Sequence, residues 1–354
     1  MSHPIKASSS RKNVAAIKRD SPTAPQWPSF NGNSQFVGTS PSGRVTVYVD
    51  PALGAPGLQN AQDLVNDADR VVTANDGIFG TTGGPVSVIV FALGNTTDGT
   101  GGADHMGCDY NVGAAIEVDA SFGNSARVSA LFEAELSECS MNGNLCGLNT
   151  GEALSRWCAS VVGNNVLADF VTAPTWVQDG MQDFVNNTDN TDQNPDSTGC
   201  GMVFISWLIS QGHGLEKIAP VMVNLGDAGT LAQLYGNLTS DDPRNAWTNF
   251  QNAIQGLPNG SASITTDDPF GGLAQPLQMT HVPSRTAEVV GRVFATMIAD
   301  LTAGAQAEQL AANVRTALLP ASRPRVAAVC TPKSKRLLPP SKIASRSTKG
   351  SKTA

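Results

Sequence analysis

Apolar and polar residues follow one another in a pattern that predicts strands in the first third of the chain. Val45–Val49 is rich in β-branched residues and ends at an Asp-Pro pair, which is typical of a strand and its stop. The apolar run at 85–93 indicates a buried strand, and 114–120 predicts a third, shorter one. Between the first two strands, apolar residues recur every three or four positions over 58–74, so an amphipathic helix is predicted there.

Helical periodicity dominates the rest of the chain, after a predicted Gly/Asp/Thr-rich loop at 94–112. Helices are predicted at 124–140, 151–164, 175–185, 199–211, 228–237 and 244–255, then at 284–302 and 304–318 beyond a Gly/Pro/Asp-rich linker at 256–283. Strands that precede helices in this way predict an α+β fold, in which a small mixed sheet is followed by a mainly helical half.

Composition divides the chain into four parts. Residues 1–43 are rich in Ser, Pro, Asn and Lys and lack periodicity, which predicts a disordered arm. The α+β domain is expected to occupy 44–260, followed by a linker and C-terminal helices at 261–318. The Pro/Ser/Lys-rich segment 319–354 predicts a disordered basic tail.

Charge is distributed unevenly, although charged residues make up only 15% of the 354 positions. Residues 45–308 carry 29 acidic and 7 basic side chains, whereas 309–354 carry ten basic and no acidic ones. An acidic body repels nucleic acid, so DNA or RNA binding is not predicted for it. The basic tail is expected either to lie loosely against this body or to contact an external polyanion. No phosphate-binding glycine motif occurs, so no nucleotide cofactor is predicted.

The sequence contains no apolar run long enough for a membrane span, and its N-terminus lacks the apolar core of a secretory signal. A soluble protein is expected, and a cytoplasmic location and export by a non-classical route both stay open. None of the six cysteines has C-x-x-C spacing, so no zinc ribbon is predicted. Disulfides between Cys108 and Cys146 or between Cys146 and Cys200 are both compatible with the sequence.

The helix predicted at 124–140 carries carboxylates in unusual positions. A helical wheel places Glu135 in the middle of the apolar face, Glu138 at its edge and Glu133 on the solvent side. A carboxylate on a core-facing stripe is costly unless it is paired, protonated or bound to a metal. Glu135 is therefore either satisfied by a backbone amide or a nearby arginine, or placed in a cleft for a chemical purpose.

Other candidate residues lie outside that helix. Asp179 and Asp183 share a predicted helical face with Trp176, where they either complement the helix dipole or face a cleft. His105 and Asp109 flank Cys108 in the loop HMGCD, where a His/Cys pair suits metal binding or nucleophilic chemistry. A solvated loop histidine is the simpler interpretation. Glu152 follows Thr150, a plausible N-cap, and is predicted to complement the dipole of its own helix.

Together, these segments resemble the zincin metallopeptidases, whose active helix carries H-E-x-x-H. The matching residues here are AELSE at 134–138, and WVQDGMQDF at 176–184 resembles the third-ligand segment of the gluzincin branch. A closer resemblance is to a group of uncharacterised bacterial proteins that share AELSE, a G-E-x-L-S-R segment and GC-x-x-x-F-x-x-W-L. The resemblance covers about 45–255, so the domain at 44–260 is expected to be zincin-like.

The resemblance also implies a degenerate active site. Ala134 and Glu138 stand where the family has its two zinc-binding histidines, Glu135 retains the position of the general base, and Asp179 matches the third ligand. Two carboxylates without an imidazole favour a hard ion such as Ca²⁺ or Mg²⁺ over zinc. A conventional zinc site is therefore not expected, and no other cofactor is predicted.

Two functional hypotheses follow. The favoured one is a non-enzymatic protein that binds a peptide, glycan or protein partner in a cleft formed by His105, Asp109, Trp176 and Asp183. The alternative is an atypical metal-assisted hydrolase, in which Glu135 is the general base and a metal is held by Glu138 and Asp179.

Overall fold

The computed structural model describes residues 22–110 and 115–274, and these form a mixed α+β fold. The strands are β1 (Gln35–Thr39), β2 (Val45–Val49), β3 (Val86–Phe91), β4 (Ala103–Met106) and β5 (Ala115–Asp119). The helices are α1 (Gly54–Phe79), α2 (Ser125–Cys139), α3 (Asn149–Val162), α4 (Ala173–Gln178), α5 (Pro195–Ser210), α6 (Leu215–Leu225), α7 (Leu231–Thr239) and α8 (Ala246–Gln255). In these ranges, no helix combines the length and the apolar character that crossing a membrane requires.

The five strands form one sheet in the order β1-β2-β3-β5-β4. The three central strands are parallel and the two edge strands are antiparallel to their neighbours. The predicted strands at 45–49, 85–93 and 114–120 are confirmed as the central strands β2, β3 and β5. Their apolar runs are continuous because both faces of the central sheet are covered, as in other parallel sheets.

The predicted disordered arm at 1–43 is wrong for the part that the structure describes. Strand β1 lies inside it, and Trp27 is only 6% exposed where it packs edge-on against Tyr48. The backbone N–H groups of Ser29 and Phe30 donate to the Glu117 carboxylate at 3.0 and 2.6 Å. This segment therefore covers the sheet face opposite the helices, and it supplies hydrogen bonds to a carboxylate that is fully buried in β5.

The predicted linker at 256–283 is also packed where it is described. Ile264 is buried, and the Asp268 carboxylate accepts hydrogen bonds from the Ser206 hydroxyl and from the backbone N–H of Gly272. These contacts attach the segment to α5. The predicted helices at 284–302 and 304–318 and the basic tail lie outside the described residues.

Three elements differ from the sequence prediction. The helix predicted at 175–185 ends at Gln178, so Asp183 belongs to a turn and not to the same helical face as Trp176. Helix α6 was not predicted, because Pro220 lies in its middle and normally signals a helix end. Strand β4 lies in the stretch predicted as a loop, since it has only four residues and two of them are polar.

The main core lies between the sheet and the helices, with α2, α3 and α5 at its centre. Helix α5 is buried along nearly its whole length, as its apolar sequence predicts. A Cβ atom at Gly201 would lie 2.7 Å from the Cβ of Ala153, so only glycine lets α5 approach α3 this closely. This close contact joins α5 to α3, which also packs against α2, and α2 and α3 carry most of the site described below.

Glu133 contradicts the prediction that it faces solvent. It is fully buried in α2, because that helix packs against α1 as well as against α3 and β5. Neither of its carboxylate oxygens has a hydrogen-bond partner among the described residues. Burial raises its pKa well above the ordinary value, and the positive charge of Arg70 only partly opposes that shift.

We expect Glu133→Gln to stabilise the protein at neutral pH. The folded chain holds the Glu133 proton to a higher pH than the unfolded chain does. The contribution of Glu133 to the free energy of unfolding therefore falls as the pH rises above the unfolded-state pKa. The amide never ionises, so the variant should gain more in the free energy of unfolding at pH 7 than at pH 4. Urea unfolding at pH 4 and pH 7 measures this. An equal effect of the substitution at both pH values would contradict the assignment of a buried neutral carboxyl.

Candidate functional site

A cavity of about 720 Å³ opens in the helical half of the fold. Strand β4 and the loop before it line one side, and α2 and α3 line another. The loop that follows α3 and the segment at 266–273 complete the walls. Apolar contact is provided by Leu93, Leu131, Trp157, Leu167, Phe170, Met202 and Leu273.

Three elements bring titratable side chains to this cavity. In α2, Glu135 and Glu138 are three residues apart and so project from one face of the helix. In β4, His105 is paired in register with Ile116 of β5, which sets the height of its imidazole above α2. In α3, Glu152 lies in the first turn and faces the same space.

The closest contacts are made by His105. Its Nδ1 atom lies 2.8 Å from Oε2 of Glu135, which is a hydrogen bond, and its Nε2 atom lies 3.8 Å from Oε2 of Glu138. The three side chains are 11%, 14% and 12% exposed, so they are largely shielded from water yet reachable from the cavity. The simpler interpretation of His105 as a solvated loop residue is therefore wrong.

The shielding changes how these groups titrate. Burial alone would lower the pKa of His105, but the hydrogen bond and charge of Glu135, with the charge of Glu138, outweigh it and raise the pKa to about 9. Burial raises the pKa of Glu135, and the His105 imidazolium opposes that shift. Burial and the charges of Glu135 and Glu152 raise the pKa of Glu138 to about 8. At neutral pH the cluster therefore holds protons that exposed side chains of the same types would have released.

Glu152 lines the cavity, whereas the sequence analysis predicted only that it complements the dipole of its own helix. Its carboxylate accepts a hydrogen bond from Nε of Arg156 at 2.5 Å, and Arg156 also donates to the backbone oxygen of Phe170 at 2.8 Å. The helical wheel places Glu152 away from the apolar face of its helix. That orientation was a usable signal, because a side chain opposite the core face can face a cleft as well as bulk solvent.

The other predicted site residues do not line the cavity in the described part of the chain. Trp176 is fully buried and stacks on Phe250 at a centroid distance of 6.0 Å, so it is a core residue. Asp183 accepts hydrogen bonds from the backbone N–H of Val185 and of Asn186 and fixes a turn. Asp179 lies at the end of α4, and Asp109 follows β4 beyond the cavity wall.

A conventional zinc site of the gluzincin type does not fit these residues. Ala134 lines the cavity with a methyl group where the family has its first histidine, and Asp179 is not in the cavity. The cavity does contain one imidazole and several carboxylates. A nitrogen of His105 and carboxylate oxygens of Glu135 and Glu138 lie within 4.8 Å of one another, which is a possible but different donor set.

A disulfide adjoins the cluster. Cys108, just beyond β4, is bonded to Cys146 in the loop between α2 and α3, which decides between the two pairings that the sequence allowed. Cys139, Cys158 and Cys200 are buried free thiols.

We expect His105 to stay protonated through neutral pH. In a pH titration followed by NMR, its imidazole resonances should move with a midpoint near 9. Glu135→Gln removes the charge that stabilises the imidazolium, so the midpoint should fall by more than one pH unit. The partly exposed His213, whose pKa burial lowers, serves as the internal reference. A His105 midpoint that Glu135→Gln leaves unchanged would contradict this account of the pair.

Comparison with known proteins finds a distant structural similarity. No family model and no curated protein sequence matches the chain. A solved structure of yeast LTA4 hydrolase in complex with bestatin shows distant structural similarity. This hydrolase is a zincin metallopeptidase. The two chains are 12% identical and superpose with a TM-score of 0.33, and the match covers 72% of this chain but only 40% of the enzyme. A likeness at this level carries no argument about activity, so function is argued from the site.

Proposed function

We infer that this protein is a non-enzymatic, metallopeptidase-like protein whose cleft binds a peptide through a cationic group. The observation that carries the proposal is the charge of the cavity wall. The acidic side chains lining it are Asp104, Glu135, Glu138, Glu152, Asp192, Asp267 and Asp268. Its basic lining residues are His105 and Arg156, and both are already engaged with glutamates of the cavity.

A ligand cation would relieve the repulsion within this cluster. Burial, together with the charges of Glu135 and Glu152, raises the pKa of Glu138 to about 8, so this carboxyl keeps its proton at neutral pH. An ammonium or guanidinium group in the cavity would favour the ionised form of Glu138 and form a charge-assisted hydrogen bond with it. A neutral glycan offers no such gain, so the charge of the cavity favours a peptide over a glycan.

The size and the apolar walls of the cavity also favour a peptide. A volume of about 720 Å³ is within the range of small-molecule and peptide side-chain pockets and is far too small for a folded domain. Trp157, Leu131 and Met202 would contact the aliphatic stem of a lysine or arginine while its charged end meets the glutamates.

The same geometry supports binding without catalysis. Ala134 removes a metal ligand from the family motif, and the Glu135 carboxylate already accepts a hydrogen bond from His105. This hydrogen bond commits Oε2 of Glu135 to holding the imidazole in place, so only Oε1 could act on a water molecule.

Isothermal titration calorimetry with matched peptides tests the proposal. A short peptide with one lysine should bind at least tenfold more tightly than the same peptide with norleucine, since only the ammonium is lost. Glu138→Gln and Glu152→Gln should each weaken lysine-peptide binding about tenfold and leave norleucine-peptide binding unchanged.

Asp179→Asn is the matched control, because it also removes an acid from this part of the fold but at a position outside the cavity. It should leave the affinity unchanged. Equal affinity for the two peptides, or a loss of binding in Asp179→Asn as large as in Glu138→Gln, would contradict the proposed site.

The metal-assisted hydrolase stays as the second candidate because one observation favours it. The nitrogen and oxygen atoms of His105, Glu135 and Glu138 lie close enough together to share one ion. In this candidate His105 and Glu138 would hold the ion, Glu135 would act as the general base, and Asp179 no longer belongs to the ligand set.

Elemental analysis separates the two candidates. Protein purified with its disulfide intact, without chelators or a metal affinity column, is expected to contain well under one equivalent of zinc and to leave peptides uncleaved. One equivalent of metal that is lost in Glu138→Gln, together with peptide hydrolysis that is lost in Glu135→Gln, would replace the binding proposal with the hydrolase.

A further inference from the structure

The Cys108–Cys146 disulfide lies next to His105, a type of side chain that commonly binds metal ions. A ring nitrogen of His105 and the Sγ atoms of Cys108 and Cys146 lie within 4.8 Å of one another. All three residues are partly exposed, so solvent reaches them. Two thiolates and one imidazole form a donor set that zinc prefers over carboxylate sites, because zinc is a borderline-soft ion.

The two cysteines are held near each other by more than the disulfide. The backbone N–H of Gly143 donates to the backbone oxygen of Cys108 at 2.8 Å, which joins the loop after β4 to the loop after α2. The backbone N–H of Leu145 donates to Asp227 at 2.7 Å, which anchors the residue next to Cys146. Opening the disulfide would therefore leave both sulfurs close to His105.

The imidazole is oriented for coordination. Its Nδ1 atom is hydrogen-bonded to Glu135. In many metal sites a carboxylate orients a ligating histidine in the same way, through the ring nitrogen that does not bind the metal. Its Nε2 atom lies 3.8 Å from Glu138, beyond hydrogen-bonding distance, and is the nitrogen left for an ion. The two sulfurs need to separate only to about 3.8 Å to bind one tetrahedral ion at ordinary zinc–sulfur distances.

We propose that reduction of the Cys108–Cys146 disulfide creates a binding site for one zinc-class divalent ion, formed by Cys108, Cys146 and His105. A dithiol reductant supplies two electrons and two protons, the S–S bond breaks into two thiols, and the reductant becomes a disulfide. The ion then displaces one proton from each thiol and the Nε2 proton from His105. Glu138 is within reach of the remaining position. This inference is independent of the proposed peptide binding.

Cobalt titration tests the site, because Co²⁺ bound by thiolates absorbs through sulfur-to-metal charge transfer and is displaced by zinc. The chain should carry Cys330→Ser, so that no cysteine outside the described residues contributes. A phosphine is used as the reductant, since it becomes its oxide with an oxygen from water and adds no competing thiol. The reduced chain is expected to bind one equivalent of Co²⁺ with the charge-transfer band, and the unreduced chain to show no band.

Variants locate the ligands. The double variant Cys108→Ser with Cys146→Ser should lose the band, and His105→Ala should weaken Co²⁺ binding at least tenfold. Cys139→Ala, which removes a buried free thiol, should leave both the band and the stoichiometry unchanged. Circular dichroism checks that the reduced chain and the variants keep their fold.

Three results would overturn the proposal. The first is a reduced, folded chain that gives no charge-transfer band with Co²⁺. The second is a band that persists in the double cysteine variant. The third is loss of the native circular dichroism on reduction alone, since the site depends on loops that stay in place without the disulfide.

Discussion

His105 and Glu135 meet where edge strand β4 passes over helix α2, and the hydrogen bond between them sets the charge of the cleft. Removing an isolated carboxylate from water is costly, and the imidazolium offsets that cost for Glu135. Glu138 has only a 3.8 Å contact with the same ring, so its own burial is offset less and its proton is held to about pH 8. The His105 imidazolium thus stabilises the ionised form of Glu135 more than that of Glu138. A second positive charge in the cavity would stabilise the ionised form of Glu138.

The architecture around the cluster explains why this arrangement persists. Helix α2 packs against α1, α3 and β5, so its carboxylates cannot turn away into solvent. Helix α3 packs against α2 and, through the close approach of Gly201 to Ala153, against α5, and α3 adds Glu152 to the same space. Arg156 donates a hydrogen bond to the Glu152 carboxylate and so fixes its position near Glu138. The raised pKa values are therefore a property of three packed elements and not of one side chain.

Much of the fold and part of the site could be predicted from the sequence. The central strands have continuous apolar runs, and the helical wheel of α2 identified Glu135 and Glu138 correctly as unusual. The edge strands β1 and β4 were missed because they are short, are rich in polar residues and glycine, and obtain their partners only from the assembled sheet. Glu133 was misplaced because a wheel describes one buried face, whereas α2 is covered on more than one side. Asp179 was proposed as a metal ligand by motif analogy, and the chain brings Glu152 to the cavity instead.

Proton release on ligand binding tests the central claim most directly. Calorimetry of lysine-peptide binding at pH 7, in buffers with different ionisation enthalpies, counts the protons exchanged. A cation that binds beside a protonated Glu138 should release about one proton per ligand, and Glu138→Gln should reduce that number towards zero. Binding with no proton exchange, or release that is unchanged in Glu138→Gln, would show that the carboxylate cluster does not recognise the ligand's charge.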